Sequence, residues 1–264
     1  MYPILVKIGP LTVYGYGFWI AVGLLVGFWV MGKEAKRQGL PHNTVVNIAF
    51  WTVIFAFMVS KVGLLLVDPG YYTSNLKELL RSGGVFYAGL IGGLVFVVVA
   101  LKVKKLPFWK VMDIYAMVIP LGHAFGRQGC FSAGCCYGRP TDVPWGVVFH
   151  SEFAHRHVGT PLGVKIHPVQ LYESFLNFIL FGILYYIMRR KKKFDGEISA
   201  LYLIGYGLIR FHDEYYRGDP GRGWIIHGNS VWTSLSVPQF ISLLLILAGI
   251  IIFLVRRRHG ENNR

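Results

Sequence analysis

Long stretches of mostly apolar residues recur along the whole chain and are separated by shorter polar segments. A helix needs ~20 such residues to cross the hydrocarbon core of a bilayer. The pattern therefore predicts an all-α integral membrane protein, a bundle of about seven transmembrane helices. The predicted spans are roughly 14–33, 45–67, 85–103, 111–126, 168–188, 196–212 and 236–255.

Composition agrees with this pattern. Hydrophobic residues make up 54% of the 264 residues and charged residues only 15%, and the mean hydropathy of +0.48 is too high for an ordinary soluble domain of this size. Because the apolar stretches cover the whole length, residues 1–264 are predicted to form a single transmembrane domain.

The net charge of +14 is explained by membrane topology and does not call for nucleic acid as a partner. Basic residues cluster in every second gap between spans, and such gaps face the cytoplasm in membrane proteins. The N-terminus is therefore predicted outside and the C-terminus in the cytoplasm. The clusters are Lys33, Lys36 and Arg37; Lys102, Lys104, Lys105 and Lys110; residues 189–193; and Arg256, Arg257, Arg258 and Arg264.

Two long loops are then predicted on the extracytoplasmic side, at about 127–167 and 213–235. Both are rich in glycine, aromatic residues, histidine and arginine, and long ordered loops are often functional. Topology alone does not explain the arginines on this side, which include Arg127, Arg139, Arg210, Arg217 and Arg222.

The first loop opens with the glycine-rich stretch 122–139, in which Arg127 lies at the predicted outer end of the fourth span. A guanidinium there suits bidentate binding of a lipid phosphate. In the second, Arg210 and Glu214 are four residues apart, so on a helix they share one face and can pair. Charges near the bilayer are costly, which favours a functional site over an incidental pair.

Further polar residues are predicted at the same membrane face. Gln170, Tyr172 and Glu173 enter the membrane at the start of the fifth span, and either helix-to-helix hydrogen bonding or substrate contact accounts for them. Tyr16 and Tyr87 lie near the outer ends of the first and third spans, where a tyrosine on its own would be an aromatic anchor. Together with the arginines they form a polar ring.

The three cysteines leave several structures open. Cys130, Cys135 and Cys136 are too few for a disulfide framework, and their C-x4-C-C spacing matches no strong zinc pattern. Plain loop packing, one disulfide or a metal site each remain, and the sequence alone predicts no metal and no cofactor. The alternatives to an enzyme are a membrane transporter and a thiol or metal membrane protein using these cysteines.

At these residues the sequence resembles the prolipoprotein diacylglyceryl transferase family. The resemblance covers nearly the whole chain in the same order. It runs through residues 8–10, 15–17, 82–93, 126–138, 167–173, 210–217 and 236–242.

The resemblance implies seven helices and an active site facing the periplasm or the cell exterior, in the bacterial cytoplasmic (inner) membrane. It also implies transfer of the diacylglyceryl group of phosphatidylglycerol to the lipobox cysteine of a prolipoprotein, with release of glycerol phosphate. The partners are then phosphatidylglycerol and the prolipoprotein signal peptide, with no nucleic acid, and the chain is expected to be a monomer.

Residue by residue, the two essential arginines of the family fall on Arg127 and Arg210. The acidic partner of the second falls on Glu214, and the first-helix tyrosine falls on Tyr16. Many members carry histidine where this chain has Tyr87, and Cys130 and Cys135 stand where the family usually has asparagine and glutamate. The general base is therefore not assigned. The candidate catalytic residues are Arg127, Arg210 and Tyr87, and the candidate substrate-binding residues are Tyr16, Glu214, Gly138, Gln170, Cys130 and Cys135.

Overall fold

The computed structural model describes residues 3–9, 11–81, 83–219, 223–228, 230 and 232–262. Arg222, as well as residues 10 and 82 of the stretches named above, lies outside them. Most of the described chain is helical. Its elements are β1 (Ile4–Ile8), β2 (Leu11–Tyr14), α1 (Gly15–Arg37), α2 (His42–Val67), α3 (Pro69–Ser74), α4 (Leu76–Arg81), α5 (Phe86–Val103), α6 (Phe108–Ala133), β3 (Val147–Val148), α7 (Glu152–Val158), β4 (Lys165–Ile166), α8 (Val169–Arg190), α9 (Glu197–Asp213), a 3₁₀ turn (Glu214–Tyr216), β5 (Trp224–Ile226), β6 (Leu235–Ser236) and α10 (Val237–Asn262).

Each predicted span coincides with one long helix: α1, α2, α5, α6, α8, α9 and α10. Five of these, all but α6 and α9, are long and apolar enough to cross a membrane. The structure differs from the prediction at the end of the fourth span. Because α6 continues to Ala133, Arg127 and Cys130 lie on a helix, not in the predicted loop that begins at 127.

The short strands were not predicted. They form three two-stranded antiparallel sheets, β1–β2, β3–β4 and β5–β6, in segments that flank the long helices. Strands of two to five residues carry too little periodicity to be separated from loops in the sequence.

The chain divides into two units, residues 1–27 with 113–264 and residues 28–112. In the second unit α2 and α5 pack closely because α5 presents glycines to its neighbour. A Cβ on Gly89 would lie 2.9 Å from the carbonyl oxygen of Ala56, and one on Gly92 would lie 2.8 Å from Val59. Small residues that let backbones approach are typical of helix contacts in membranes.

In the first unit α6 and α9 run parallel, and three contacts show this. The side chain of Asp113 accepts a hydrogen bond from the backbone nitrogen of Ser199 at 2.9 Å. Farther along, the rings of His123 and Tyr206 lie 5.0 Å apart. Beyond both helices, the nitrogen of Gly218 donates to the carbonyl of Tyr137 at 3.0 Å.

The N-terminus of α9 is held by the buried Asp113. Its carboxylate accepts hydrogen bonds from the backbone nitrogens of Gly196 and Ser199 and forms an ion pair with Lys192 at 2.9 Å. A helix N-terminus has unpaired N–H groups, and a negative charge stabilises it. This contact fixes the starting point of the helix that carries Arg210.

Candidate active site

Arg127 lies in the last two turns of α6 and faces α8. Its Nε is 2.9 Å from Oε2 of Glu173, and Glu173 is almost fully buried. The same two helices are joined by Gln128, whose side-chain nitrogen donates to the hydroxyl of Ser174 at 3.0 Å. A buried carboxylate that binds one edge of a guanidinium fixes the direction in which its other edge points.

Arg210 and Glu214 form the ion pair that their spacing predicts, with Nη2 and Oε2 2.7 Å apart. Glu214 is buried and Arg210 is mostly buried, and the pair lies where α9 passes into the 3₁₀ turn. Among the described residues, Nη1 of Arg210 and both carboxylate oxygens of Asp213 are buried without a hydrogen-bond partner. Unpaired buried polar atoms are costly, so these groups are candidates to bind a polar substrate.

The two arginines lie at the same level of two parallel helices. Arg127 is four residues after His123, and Arg210 is four residues after Tyr206, while the rings of His123 and Tyr206 are in contact. Since one helical turn rises about 5.4 Å, both residues lie about one turn beyond that contact. They are 83 positions apart in the sequence, and the register of α6 and α9 brings them to the same level.

The loop that follows α6 is held between the ends of α8 and α9. Gly138 pairs with Arg217, and a Cβ on Gly138 would collide with the carbonyl of His167, so only glycine fits there. Gln170 is almost fully buried and its side-chain nitrogen donates to the carbonyl of Cys135 at 2.9 Å. Gly138 and Gln170 therefore shape the loop.

The cysteines meet at this loop. The sulfur atoms of Cys130, Cys135 and Cys136 lie within 4.8 Å of one another, and each residue is partly buried. Nη1 of Arg127 is 3.9 Å from the sulfur of Cys130. The thiol of Cys130 therefore lies next to Arg127. Cys135 and Cys136 come directly after the last turn of α6.

Tyr16 approaches the same end of α6. A Cβ on Gly129 would lie 3.2 Å from the carbonyl oxygen of Tyr16, so the two backbones are in close contact there. Trp19, one turn later, donates from its indole nitrogen to the hydroxyl of Ser132 at 3.1 Å. Tyr16 is thus placed beside the turn that carries Cys130.

Tyr87 belongs to the second unit and is described only within it. It is the second residue of α5, half-exposed, with its ring edge-on to Phe86. Its catalytic role stays a prediction.

A pocket of about 490 Å³ opens beside this cluster. Its walls are mainly aromatic, and the indole of Trp145 donates to the hydroxyl of Tyr172 at 2.7 Å. Burial, with a smaller effect of Arg139, lowers the pKa of His167 at its rim. Asp213 also lines this pocket.

Sequence reasoning missed three residues of this cluster as site candidates: His123, Tyr206 and Asp213. It left Glu173 open between helix-to-helix hydrogen bonding and substrate contact. Glu173 and Asp213 are acidic residues within predicted spans or at their ends. A carboxylate is energetically costly there, and this cost is the sequence signal that could have identified both as site residues. No local spacing connects His123 with Tyr206, or Arg127 with Glu173, because each pair bridges two helices that are distant in the sequence.

The fold and the site define a multi-pass helical membrane protein with two carboxylate-paired arginines suited to an anionic group. Residues 3–255 match the family model described as prolipoprotein diacylglyceryl transferase. The chain belongs to the prolipoprotein diacylglyceryl transferase family.

Individual relatives are similar over most of their length. A protein of Clostridium tetani is 37% identical over 260 residues, covering 97% of this chain and 98% of the relative. A protein of Finegoldia magna is 34% identical over 241 residues, covering 90% and 88%. One of Geobacillus kaustophilus is 33% identical over 260 residues, covering 97% and 93%. All three are named phosphatidylglycerol–prolipoprotein diacylglyceryl transferase.

Proposed function

We propose that this chain transfers the diacylglyceryl group of phosphatidylglycerol to the lipobox cysteine of a prolipoprotein. The product carries a thioether, and glycerol phosphate leaves. The observation that carries this proposal is the pair of guanidinium groups at one level of α6 and α9, each oriented by a buried glutamate. Family membership supports the same reaction.

The geometry suits the chemistry of that transfer. The lipobox sulfur attacks the glycerol carbon that bears the phosphate ester, and the carbon–oxygen bond breaks. Charge develops on the leaving phosphate, and positioned cations stabilise it in the transition state. Arg127 and Arg210 perform this role. Glu173 and Glu214 hold the planar guanidinium groups of these two arginines in position.

The other candidate residues position the substrates. Tyr16 stands beside the last turn of α6 and contacts the headgroup. Gly138 and Gln170 keep the loop after α6 against α8, and this loop, with Cys130 and Cys135, faces the lipobox cysteine. Tyr87 is retained in this proposal as a catalytic residue, on the resemblance alone.

The chain acts as one transmembrane catalytic domain with seven spans, including α6 and α9. The N-terminus is outside, the C-terminus is cytoplasmic, and the site faces the periplasm or the cell exterior of the bacterial inner membrane. The working unit is a monomer, and nucleic acid has no part in its function.

The direct test measures transfer of labelled diacylglyceryl from phosphatidylglycerol to a lipobox peptide. We expect Arg127→Ala and Arg210→Ala each to lower the rate by about 100-fold or more, since each removes a group that stabilises the leaving phosphate. The matched control is Arg156→Ala, which removes an exposed arginine of α7. A peptide with serine in place of the lipobox cysteine reports the background.

Wild-type rates in either site variant would contradict the proposal. The transporter alternative is tested in liposomes that contain the protein. Flux of a solute without lipid transfer to the peptide would favour a transporter over an enzyme.

A further inference from the structure

The three thiols form a set of ligands with one common centre. They are the only cysteines of the chain, and their sulfur atoms lie within 4.8 Å of one another. Zinc–thiolate bonds of about 2.3 Å place the sulfurs of a tetrahedral site ~3.8 Å apart. A small movement of the side chains would therefore bring these sulfurs to the spacing of a tetrahedral zinc site.

The backbone is bent so that the thiols converge. In an extended segment neighbouring side chains point to opposite sides. Cys136 has a left-handed conformation with φ of 57°, which interrupts this alternation between Cys135 and Cys136. A left-handed non-glycine residue costs roughly 1–2 kcal/mol, and strain of this kind concentrates at functional sites.

The surroundings hold this bend in place. The nitrogen of Gly134 donates to the carbonyl of Cys130 at 2.8 Å, and Gly134 itself has a φ of 82°. Gln170 fixes the carbonyl of Cys135. On the far side, Gly138 pairs with Arg217. The loop is thus anchored before, within and after the cysteine pair.

Charge favours a cation held by thiolates at this point. Three thiolates and one divalent cation carry a net charge of −1. Arg127 has a guanidinium nitrogen 3.9 Å from the sulfur of Cys130, so a positive charge lies beside the cluster. Arg127 and Cys130 are three residues apart on α6, so the helix itself holds this positive charge beside the thiol.

We propose that Cys130, Cys135 and Cys136 bind one zinc ion and leave its fourth position to the lipobox thiol. Catalytic zinc sites have three protein ligands and an open position, whereas structural sites are closed by a fourth ligand. No fourth histidine, cysteine or carboxylate joins this group among the described residues. This inference rests on the proposed function, because it assigns the open position to that substrate.

The step is balanced. The lipobox thiol loses its proton to solvent when its sulfur binds zinc, because a coordinated thiol is deprotonated. The sulfur electron pair then forms the bond to the glycerol carbon, and the carbon–oxygen bond breaks with its pair on the phosphate oxygen. The thioether is a weaker ligand than the thiolate and leaves the metal, and no oxidant or reductant is consumed.

The arrangement also places both reactants. Arg127 is the proposed phosphate ligand and adjoins Cys130. A sulfur at the fourth zinc position and a phosphate at Arg127 are therefore neighbours. Holding the two reactants next to each other lowers the entropy cost of the displacement.

Metal content of the purified protein gives the first test. We expect about one zinc per chain in the wild type and loss of that zinc in the variant Cys130→Ser/Cys135→Ser/Cys136→Ser. The control Ser132→Ala, on the same turn as Cys130, keeps the metal because its hydroxyl is bonded to Trp19. Absence of stoichiometric zinc from the wild type, or a pair of oxidised cysteines in thiol titration, would overturn the proposal.

Cobalt in place of zinc tests the fourth position directly. Thiolate-to-cobalt absorption should rise by about one third when a lipobox peptide adds a fourth thiolate to three. The peptide with serine at that position should cause no rise. An equal response to both peptides would refute binding of the substrate sulfur.

Activity measurements separate this inference from the proposed function. Removal of the metal by a chelator should lower transfer by about 100-fold, the contribution of deprotonating the nucleophile, and zinc should restore it. Full transfer by the metal-free protein would end the zinc inference and leave the proposed function intact. Zinc binding with a cysteine-specific cobalt response but no lipid transfer would support the site and contradict the proposed function.

Discussion

Glu173 shows how a single residue prepares a site. It is almost fully buried in α8, and its carboxylate contacts Nε of Arg127. This leaves the terminal nitrogens of the guanidinium for other partners, one of which is 3.9 Å from Cys130. The glutamate therefore determines which edge of Arg127 faces the substrate.

We expect Glu173→Gln to lower lipid transfer by about 10-fold or more, because the uncharged amide holds the guanidinium less firmly. Breaking a buried ion pair also costs about 3–5 kcal/mol of stability. Transfer rate and thermal unfolding are measured together, with Glu152→Gln as the control on the exposed first turn of α7. A wild-type rate in Glu173→Gln would mean that the charge of Glu173 does not position Arg127.

Tyr87 is the residue for which sequence and structure give the least guidance. Its ring is half-exposed at the start of α5 and stands edge-on to Phe86. Tyrosine is a poor base at neutral pH, since its ordinary pKa is about 10. If zinc binds the lipobox thiol as inferred above, the transfer does not need Tyr87 as a base.

We therefore expect Tyr87→His to retain transfer, because imidazole also presents a polar nitrogen at that position. The rate is compared with that of Tyr71→His, which changes another half-exposed tyrosine of the same unit. Complete loss of transfer in Tyr87→His alone, at normal expression, would show that the phenol has a specific role.

At the scale of the helices, Asp113 has the largest influence on the site without touching it. It is fully buried, and it binds the N-terminus of α9 through two backbone nitrogens and the hydroxyl of Ser199. Since α9 starts there, its register against α6 is fixed from this end. The position of Arg210, three turns farther along, follows from it.

We expect Asp113→Ala to lower the free energy of unfolding by about 3 kcal/mol or more, because Lys192 and the first nitrogens of α9 lose a buried partner. The matched control is Asp195→Ala. Asp195 also contacts Lys192, at 2.8 Å, but its side chain is 45% exposed, so its loss should cost at most ~1 kcal/mol. Equal destabilisation in thermal unfolding would contradict the role assigned to Asp113.

The helices themselves could be predicted because their signal is local. A run of apolar residues identifies a helix in any tertiary context, and the i, i+4 spacing was enough to pair Arg210 with Glu214. The pairing of Arg127 with Glu173 depends on how α6 packs against α8, and no local pattern encodes it. The three sulfurs come together because Cys136 has a left-handed backbone conformation. Nothing in the sequence indicates that a cysteine at this position adopts that conformation.

For the whole molecule, the two long helices that fall short of an ordinary membrane span carry the two arginines. α9 has 17 residues, about 25 Å of helix, and α6 contains Pro120, His123 and Arg127. Polar residues within a membrane are costly, and they are retained where they serve a site. The polar residues of α6 and α9 are therefore the ones that the proposed site uses.

The proposed topology places both helix ends that carry the arginines outside. If α6 and α9 both cross the membrane, the segment after α6 is extracytoplasmic and the basic end of α10 is cytoplasmic. A phosphatase that is active only outside should then be active when fused after Gly163, in the exposed turn between α7 and β4. A fluorescent protein that matures only in the cytoplasm should fluoresce at the C-terminus. The opposite pair of signals would invert the topology, and with it the side from which the prolipoprotein cysteine must approach.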